Sequence, residues 1–539
     1  AGVAVTKDGT GTWTLSAPNL FNSALTVNNG TLRLTQTNVY AAATTVNAGT
    51  LSLAGPAGAV PNTSGITLNN GGTLMIGNTP ADNHPDRVRN AAAVTLNGGT
   101  VRFSHSAGAA SYSEKLGTVA VASGANTIVA SQAAAGQSSA LTLSGLTRTA
   151  GLVNFVGTGL GASARNRIFI DGQADGLIGP WATVNGTALA AYSSTLGVYA
   201  AGEASYTDIA ARGPSTIQDG AASQVRINSE GEAGPITLGA TTTTIGSLTQ
   251  NTATEAVVDT AEKTLRATRV TVPAGKAGVT LGVATGEGTL SASTAGGGLI
   301  LESGGTSGGL TVNAVIANNT SASALTKAGS GTVTLAAPNT FSGATALNEG
   351  ALVLADAAAL QNSTLTLGLS GTPVFSSAVA GNAFTLGGLT GTRELALVND
   401  FGAPVALSVG QNNASTTYAG SIGGSGSLVK QGTGTLTLSG ANIFSGGVTV
   451  NAGRVNAAHV QALGVGPVVN NGMIDFTVSP ATYSGASYKI SGGGTNNVTI
   501  QTNLGGSTSY FDGDYTGFTG VWNIGVGAGT VAEIGRAHV

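Results

Sequence analysis

The chain has 539 residues, only 8% of them charged, with 21 Lys and Arg against 24 Asp and Glu, and no cysteine. A net charge of −3 with no Lys/Arg run excludes the basic footprint of a nucleic-acid binder. Absence of cysteine excludes a disulfide framework, a thiolate metal site and a cysteine nucleophile, and it suits export in an unfolded state. Hydrophobic residues make up 41% but aromatics only 5%, so any core is built from small and branched side chains. No stretch approaches the roughly 18–20 apolar residues of a membrane-spanning helix. Ala1 follows no initiating Met or signal peptide, and the chain is expected to be a piece of a longer protein.

The same Gly/Thr/Ala/Asn texture runs from end to end and argues for one repetitive body. Repeats are therefore sought first. Residues 1–78 are expected to form coils around the block Lys7–Leu34, KDGTGTWTLSAPNLFNSALTVNNGTLRL. Within it, Thr12 and Thr14 share one face of a strand, and Trp13 and Leu15 the other. Ser16–Asn19 supplies turn residues. Leu25–Val27 is a second strand. Asn28–Gly30 is a tight turn in which Gly30 can take positive φ. Thr31–Leu34 is a third strand, with Leu32 and Leu34 inward. Fragments of weaker coils follow at 44–53, 66–76, 94–103 and 468–476.

Residues 79–90 carry two prolines among charged residues and read as a solvated polar loop. Degenerate coils are expected over 91–200, and an irregular segment or worn coil over 201–235. Coils resume over 236–532, with two further gap-free copies of the block at Lys327–Leu354 and Lys430–Ala457. In the last copy Leu436 and Leu438 should point inward, and Thr435 and Thr437 outward. The repeat positions held in register are Gly9, Leu15, Asn19, Phe21, Asn28 and Gly30; then Gly329, Leu335, Asn339, Phe341, Asn348 and Gly350; then Gly432, Leu438, Asn442, Phe444, Asn451 and Gly453. Residues 533–539, EIGRAHV, break the texture and read as a translated sequencing adapter.

An antiparallel meander is the rival arrangement, because Asn-Gly turns favour hairpins. Stacked coils are preferred because identical blocks stacked in register place Leu on Leu, Asn on Asn and Phe on Phe. The expected fold is therefore all-β: an elongated, right-handed parallel β-helix (β-solenoid) with little or no α-helix. At about 22 residues per coil it would hold about 24 coils.

The repeat GTGTLTLSGANIFSGGVTVNAG (Gly432–Gly453) resembles the autotransporter-associated β-strand repeat of Gram-negative surface proteins. Segments 179–198 and 513–524 resemble stretches of very large proteins of that type. The resemblance implies a passenger at the cell surface (outer membrane associated) or secreted, carried by a C-terminal β-barrel translocator that this segment does not contain. It implies a structural, adhesin-like stalk or passenger, not an enzyme, with host or matrix surfaces or polysaccharide as partners and no cofactor.

The alternative is a β-helix lyase or hydrolase acting on polysaccharide, which needs carboxylates gathered beside Arg or Lys. The best cluster is Arg165, Arg167, Asp171 and Asp175, but Asp171-Gly and Asp175-Gly are ordinary turn pairs. Gly305-TSG-Gly309 matches a nucleophile elbow without the strand-to-helix context. The histidines His84, His105, His459 and His538 show no zinc spacing. Asp512 and Asp514 are too few for a calcium shell. The threonine pairs Thr12/Thr14, Thr332/Thr334 and Thr435/Thr437 resemble ice-binding rows, but such rows must repeat on consecutive coils. No catalytic, cofactor or metal residue is therefore assigned.

Overall fold

Threonine and aliphatic residues alternate along short segments that end in Asn and Gly, and such segments fold as half-buried strands closed by tight turns. The computed structural model describes residues 4–19, 21–105, 110–131, 136–186, 188–305, 308–368, 370–478, 487–500 and 512–526. It is a β-solenoid of about 21 turns. The described residues contain no α-helix, only the 3-10 turns Glu203–Ser205 and Ala380–Asn382, so no helix is long and apolar enough to cross a membrane. The chain divides into two compact units, Ala1–Thr207 and Asp208–Val539.

In the first unit, parallel strands stack in register from Thr12–Leu15 through Thr31–Leu34, Thr50–Leu53, Thr73–Asn78, Thr100–His105, Ala125–Ser131 and Leu152–Val156 to Ala182–Val184. Like side chains therefore meet across coils. Leu32, Leu51, Leu74, Val101, Ile128, Phe155 and Val184 form one buried inward column. Seven shorter strands, from Val5–Lys7 to Leu146–Arg148, form a second face, and Tyr112–Leu116, Ser139–Leu143 and Asn166–Ile170 a third. The parallel order stops at Ala188–Ser193, which runs antiparallel to Ala182–Val184, Gly176–Leu177 and Gly197–Ala200. That turnback lies within the segment whose resemblance had set it apart, 179–198.

The second unit repeats the plan around its own contiguous core. Leu436, Val455 and Ile474 stack, as do Leu438, Ala457 and Phe476. Leu436 and Leu438 are buried while Thr435 and Thr437 stay partly exposed, as the alternation predicts. The expected count of about 24 coils is too high because many coils are longer than about 22 residues, as in the steps from Thr100 to Thr127, Val153 to Ala182 and Thr264 to Thr289. Asn28, Asn47, Asn69 and Asn97 occupy one column at steps of 19, 22 and 28 residues. The longest step contains the 79–90 segment.

Candidate functional site

The repeated block is where the sequence concentrates its information, and the structure shows what it builds. Each copy opens with a lysine at or one residue before the end of a strand: Lys7, Lys327 or Lys430. All three are buried in aliphatic columns. Lys327, for example, stacks between Leu301 and Leu347. An ammonium has three donors and no tolerance for an unpaired burial. Lys7 Nζ donates to the carbonyls of Asp8 (2.7 Å), Gly9 (2.7 Å) and Asn29 (3.2 Å). Lys327 Nζ donates to those of Ala328 (2.9 Å), Gly329 (2.6 Å) and Glu349 (2.9 Å). Lys430 Nζ donates to those of Gln431, Gly432 (2.8 Å) and Ala452 (3.5 Å). In every copy the third carbonyl lies 22 residues on, in the next coil. The lysine thus ties a turn to the coil stacked on it. Burial pushes the Lys327 ammonium down to about 8, with Glu302 and Glu349 acting the other way, and burial also lowers Lys430.

The glycine anchors serve the same turn. Gly9, Gly329 and Gly432 have φ of 73°, 73° and 65°. Gly30, Gly350 and Gly453 have φ of 65°, 66° and 66°. A Cβ on Gly30 would stand 2.4 Å from the Gly11 carbonyl oxygen, on Gly350 2.3 Å from that of Gly331, and on Gly453 2.4 Å from that of Gly432. Only glycine fits both the left-handed backbone and this approach of neighbouring turns.

The remaining anchors agree in the second unit and loosen at the first coil. Leu335, Leu438, Phe341 and Phe444 are buried, whereas Leu15 and Phe21 are only partly so, and Phe21 stacks on Tyr40 with ring centroids 4.8 Å apart. Trp13, on the same face as Leu15, is 50% exposed. Asn339 and Asn442 each brace two coils. Their Oδ1 atoms accept the Ile316 and Ile422 amides at 2.7 Å, and their Nδ2 atoms donate to the Ala359 (3.0 Å) and Ala462 (2.5 Å) carbonyls. Asn19 instead donates to the Ala17 carbonyl and to Asn38 Oδ1. The backbone amides of Asn28, Asn348 and Asn451 bond the carbonyls of Lys7, Lys327 and Lys430. Asn28 also belongs to a ladder in which Asn97, Asn69, Asn47 and Asn28 donate in turn, ending on Asp8 Oδ1. A carboxylate can only accept, so Asp8 fixes the direction of the whole ladder.

The contacts made by the catalytic candidates run to residues outside the set. Asp171 pairs with Lys115 at 2.9 Å, and Asp175 accepts the Ser194 amide at 2.7 Å. Arg167 lies over Phe169, and its Nε donates to the Ser163 carbonyl. The Arg165 amide bonds Ser163 Oγ. Asp514 closes a turn onto Thr516. The described residues contain no group of three or more His, Cys, Asp or Glu able to hold a metal. The nucleophile-elbow centre (306–307), His538 and 533–539 lie outside the described residues, as does the Asp512 side chain.

Two findings depart from the sequence reading. Threonines do occur on consecutive coils, as Thr12, Thr31, Thr50, Thr73, Thr100 and Thr127, but their partner column reads Thr14, Arg33, Ser52, Met75 and Arg102. The row is single, and the Thr-x-Thr pair does not propagate. The 79–90 segment is not wholly solvated: Arg87 is fully buried, its guanidinium donating to Asn78 Oδ1 (2.7 Å) and to the carbonyls of Gly58 (2.7 Å), Gly55 (2.7 Å) and Asp82 (3.0 Å). Glu114, also buried, accepts the Arg87 and Val88 amides. Strand alternation carried a signal for Glu114, which shares the inward face of Tyr112 and Leu116. Arg87, in an irregular segment, carried none. The clamp lysines stood first in all three blocks and were the plainest signal overlooked.

A parallel solenoid whose turns are tied by a repeated lysine–carbonyl clamp defines the class of this molecule: a stacked-coil scaffold. The passenger-associated-transport-repeat family matches residues 5–34, 29–53, 325–354 and 428–457. The chain therefore carries autotransporter passenger repeats. The match over 29–53 adds a copy to the three gap-free blocks; it shares residues 29–34 with the first, and its strands stack on those of the first copy. Comparisons with curated proteins and with solved structures gave no match.

Proposed function

We propose that the chain is a structural passenger or stalk of an exported bacterial surface protein, displayed at the cell surface or released, and that it supports adhesion or matrix contact. The repeat family implies export to the cell surface or secretion. The observation that carries the structural reading is the clamp, built three times with the same partners at the same spacing. It serves coil stacking and leaves no reactive group free. We take the solenoid to be right-handed, the hand that parallel crossovers adopt. The engagement of Asp171 by Lys115 and of Asp175 by the Ser194 amide supports a non-catalytic role.

The test is display of the whole chain on a heterologous translocator barrel in a Gram-negative host. Cells should gain adherence to matrix protein or polysaccharide coatings over cells bearing the barrel alone, and release no new reducing ends from the polysaccharide. Folded, displayed chain without adherence to any coating would remove the adhesion role and leave the stalk. Release of reducing ends would overturn the non-catalytic reading.

A further inference from the structure

One corner of the first unit takes no part in the repeat block. Its centre is His105, 7% exposed, at the end of strand Thr100–His105 and paired in register with Asn78. The imidazole stacks on Tyr112 with centroids 4.1 Å apart and 22° between planes, and meets Phe103 edge-on at 4.1 Å. Neither ring nitrogen has a hydrogen-bond partner; nor do Asn78 Nδ2 and the Tyr112 hydroxyl. Burial holds the imidazole neutral, down to about 4, and the Arg87 charge adds to this.

A protonated His105 has no way to be satisfied in place. It would bring a charge and two N–H donors into an aromatic stack without acceptors. The charge acting on it is Arg87, of like sign, already committed to Asn78 and three carbonyls. Glu114 faces the same corner, but its carboxyl holds the Arg87 and Val88 amides. Of the other ionisable groups of the segment, Asp82 and Asp86 act on Arg87, Glu114 and His84. His84 is lowered, first by burial and then by Arg87, and so adds in the same direction as His105; Arg89 is exposed. Lys115, the next residue along the strand, turns outward to Asp171.

We propose that this corner is an acid-sensitive latch: protonation of His105 releases the ring to water, breaks its stack with Phe103 and Tyr112, and frees segment 79–90 from its anchorage through Arg87 while the stacked repeat coils stay closed. The sign follows from the direction of the shift. A histidine held below its unfolded value favours the closed corner fully above about 6.5, and that contribution is lost as pH falls towards 4. Glu114 is shifted the other way, up to about 8, mainly by burial; its contribution is present below about 4.5 and lost as pH rises through 8. Acid opening is therefore assigned to His105; between pH 7.5 and pH 5 the Glu114 carboxyl acts in the opposite direction and opposes it.

Hydrogen exchange of the whole chain at pH 7.5 and pH 5, corrected for intrinsic rates, tests this. A shift from 6.5 to about 4 changes the opening equilibrium by roughly 30-fold at pH 5. In Glu114→Gln, which removes the opposing carboxyl, peptides spanning 79–90 should lose protection on that scale, while peptides spanning 430–457 should not. Adding His105→Phe to Glu114→Gln should remove most of that loss, and the native chain, in which the two groups oppose each other, should show a smaller loss or none. If the chain carrying His105→Phe fails to fold, the Glu114→Gln comparison still decides: equal protection of 79–90 at both pH values in that variant overturns the latch. So does an acid loss of protection in Glu114→Gln that survives in full when His105→Phe is added and the chain stays folded.

Discussion

At the scale of single residues, a few polar groups are buried because the backbone around them supplies exact partners. Lys327 is the clearest. Lys327→Met keeps the stem that packs between Leu301 and Leu347 but leaves the Ala328, Gly329 and Glu349 carbonyls without their donor. Each orphaned buried group costs about 1–3 kcal/mol, so a loss of about 3 kcal/mol is expected in denaturant melts. A neutral effect would show that the clamp contributes no stability. Gly350→Ala should cost at least about 2 kcal/mol, because φ is 66° and the added carbon meets the Gly331 carbonyl oxygen at 2.3 Å. The corresponding change at Gly9, whose Cβ would meet nothing within 4 Å, carries only the backbone penalty and should cost less. Glu114 gives a pH test. Its raised value makes the folded form bind the extra proton between about 4.5 and 8, so its contribution to stability falls across that window as pH rises. Glu114→Gln should flatten that fall in a pH series of melts; an unchanged slope would contradict a buried, protonated Glu114.

At the scale of elements, alternation made the strands legible. Thr435-Leu-Thr-Leu438 reads as a half-buried strand and is one, with its leucines in the core. Leu438→Asp should therefore cost several kcal/mol, since it buries an unpaired charge. Thr437→Asp should cost well under ~1 kcal/mol. Equal losses would mean that the strand register is wrong. Partner choice was less legible. An Asn-Gly turn serves a hairpin as readily as a coil corner, and only the stacking of whole blocks pointed to parallel pairing. Trp13 shows another limit: strand period gives its face, but burial depends on what stacks over that face, and the side chain stays half exposed. The same holds for Arg87, whose acceptors come from Gly55, Gly58, Asn78 and Asp82, a set that no local pattern brings together.

At the scale of the whole molecule, uniform composition suggested one body, whereas the chain forms two units with separate cores. Texture does not report where stacking stops. The antiparallel turnback of Ala188–Ser193 uses the same small and aliphatic residues as the coils around it. Calorimetry should show two transitions. Phe155→Ala, in the first core, should lower one by the equivalent of about 3–5 kcal/mol. Lys327→Met should lower only the other. One transition that moves as a whole with either variant would contradict the division.

The central claim is that successive blocks stack as parallel strands in a fixed register, and the absence of native cysteine allows a direct test. Thr417 and Thr437 are paired neighbours on adjacent parallel strands, and neither is buried. A Thr417→Cys/Thr437→Cys double variant should form an intramolecular disulfide under mild oxidation, because paired Cα atoms fall within the range of about 4.4–6.8 Å that a disulfide spans. Thr417→Cys/Thr435→Cys, two residues out of register, should stay largely reduced. Efficient crosslinking of the first pair and not the second is the result the stacked parallel solenoid requires. The reverse outcome, or equal crosslinking of both, would contradict it.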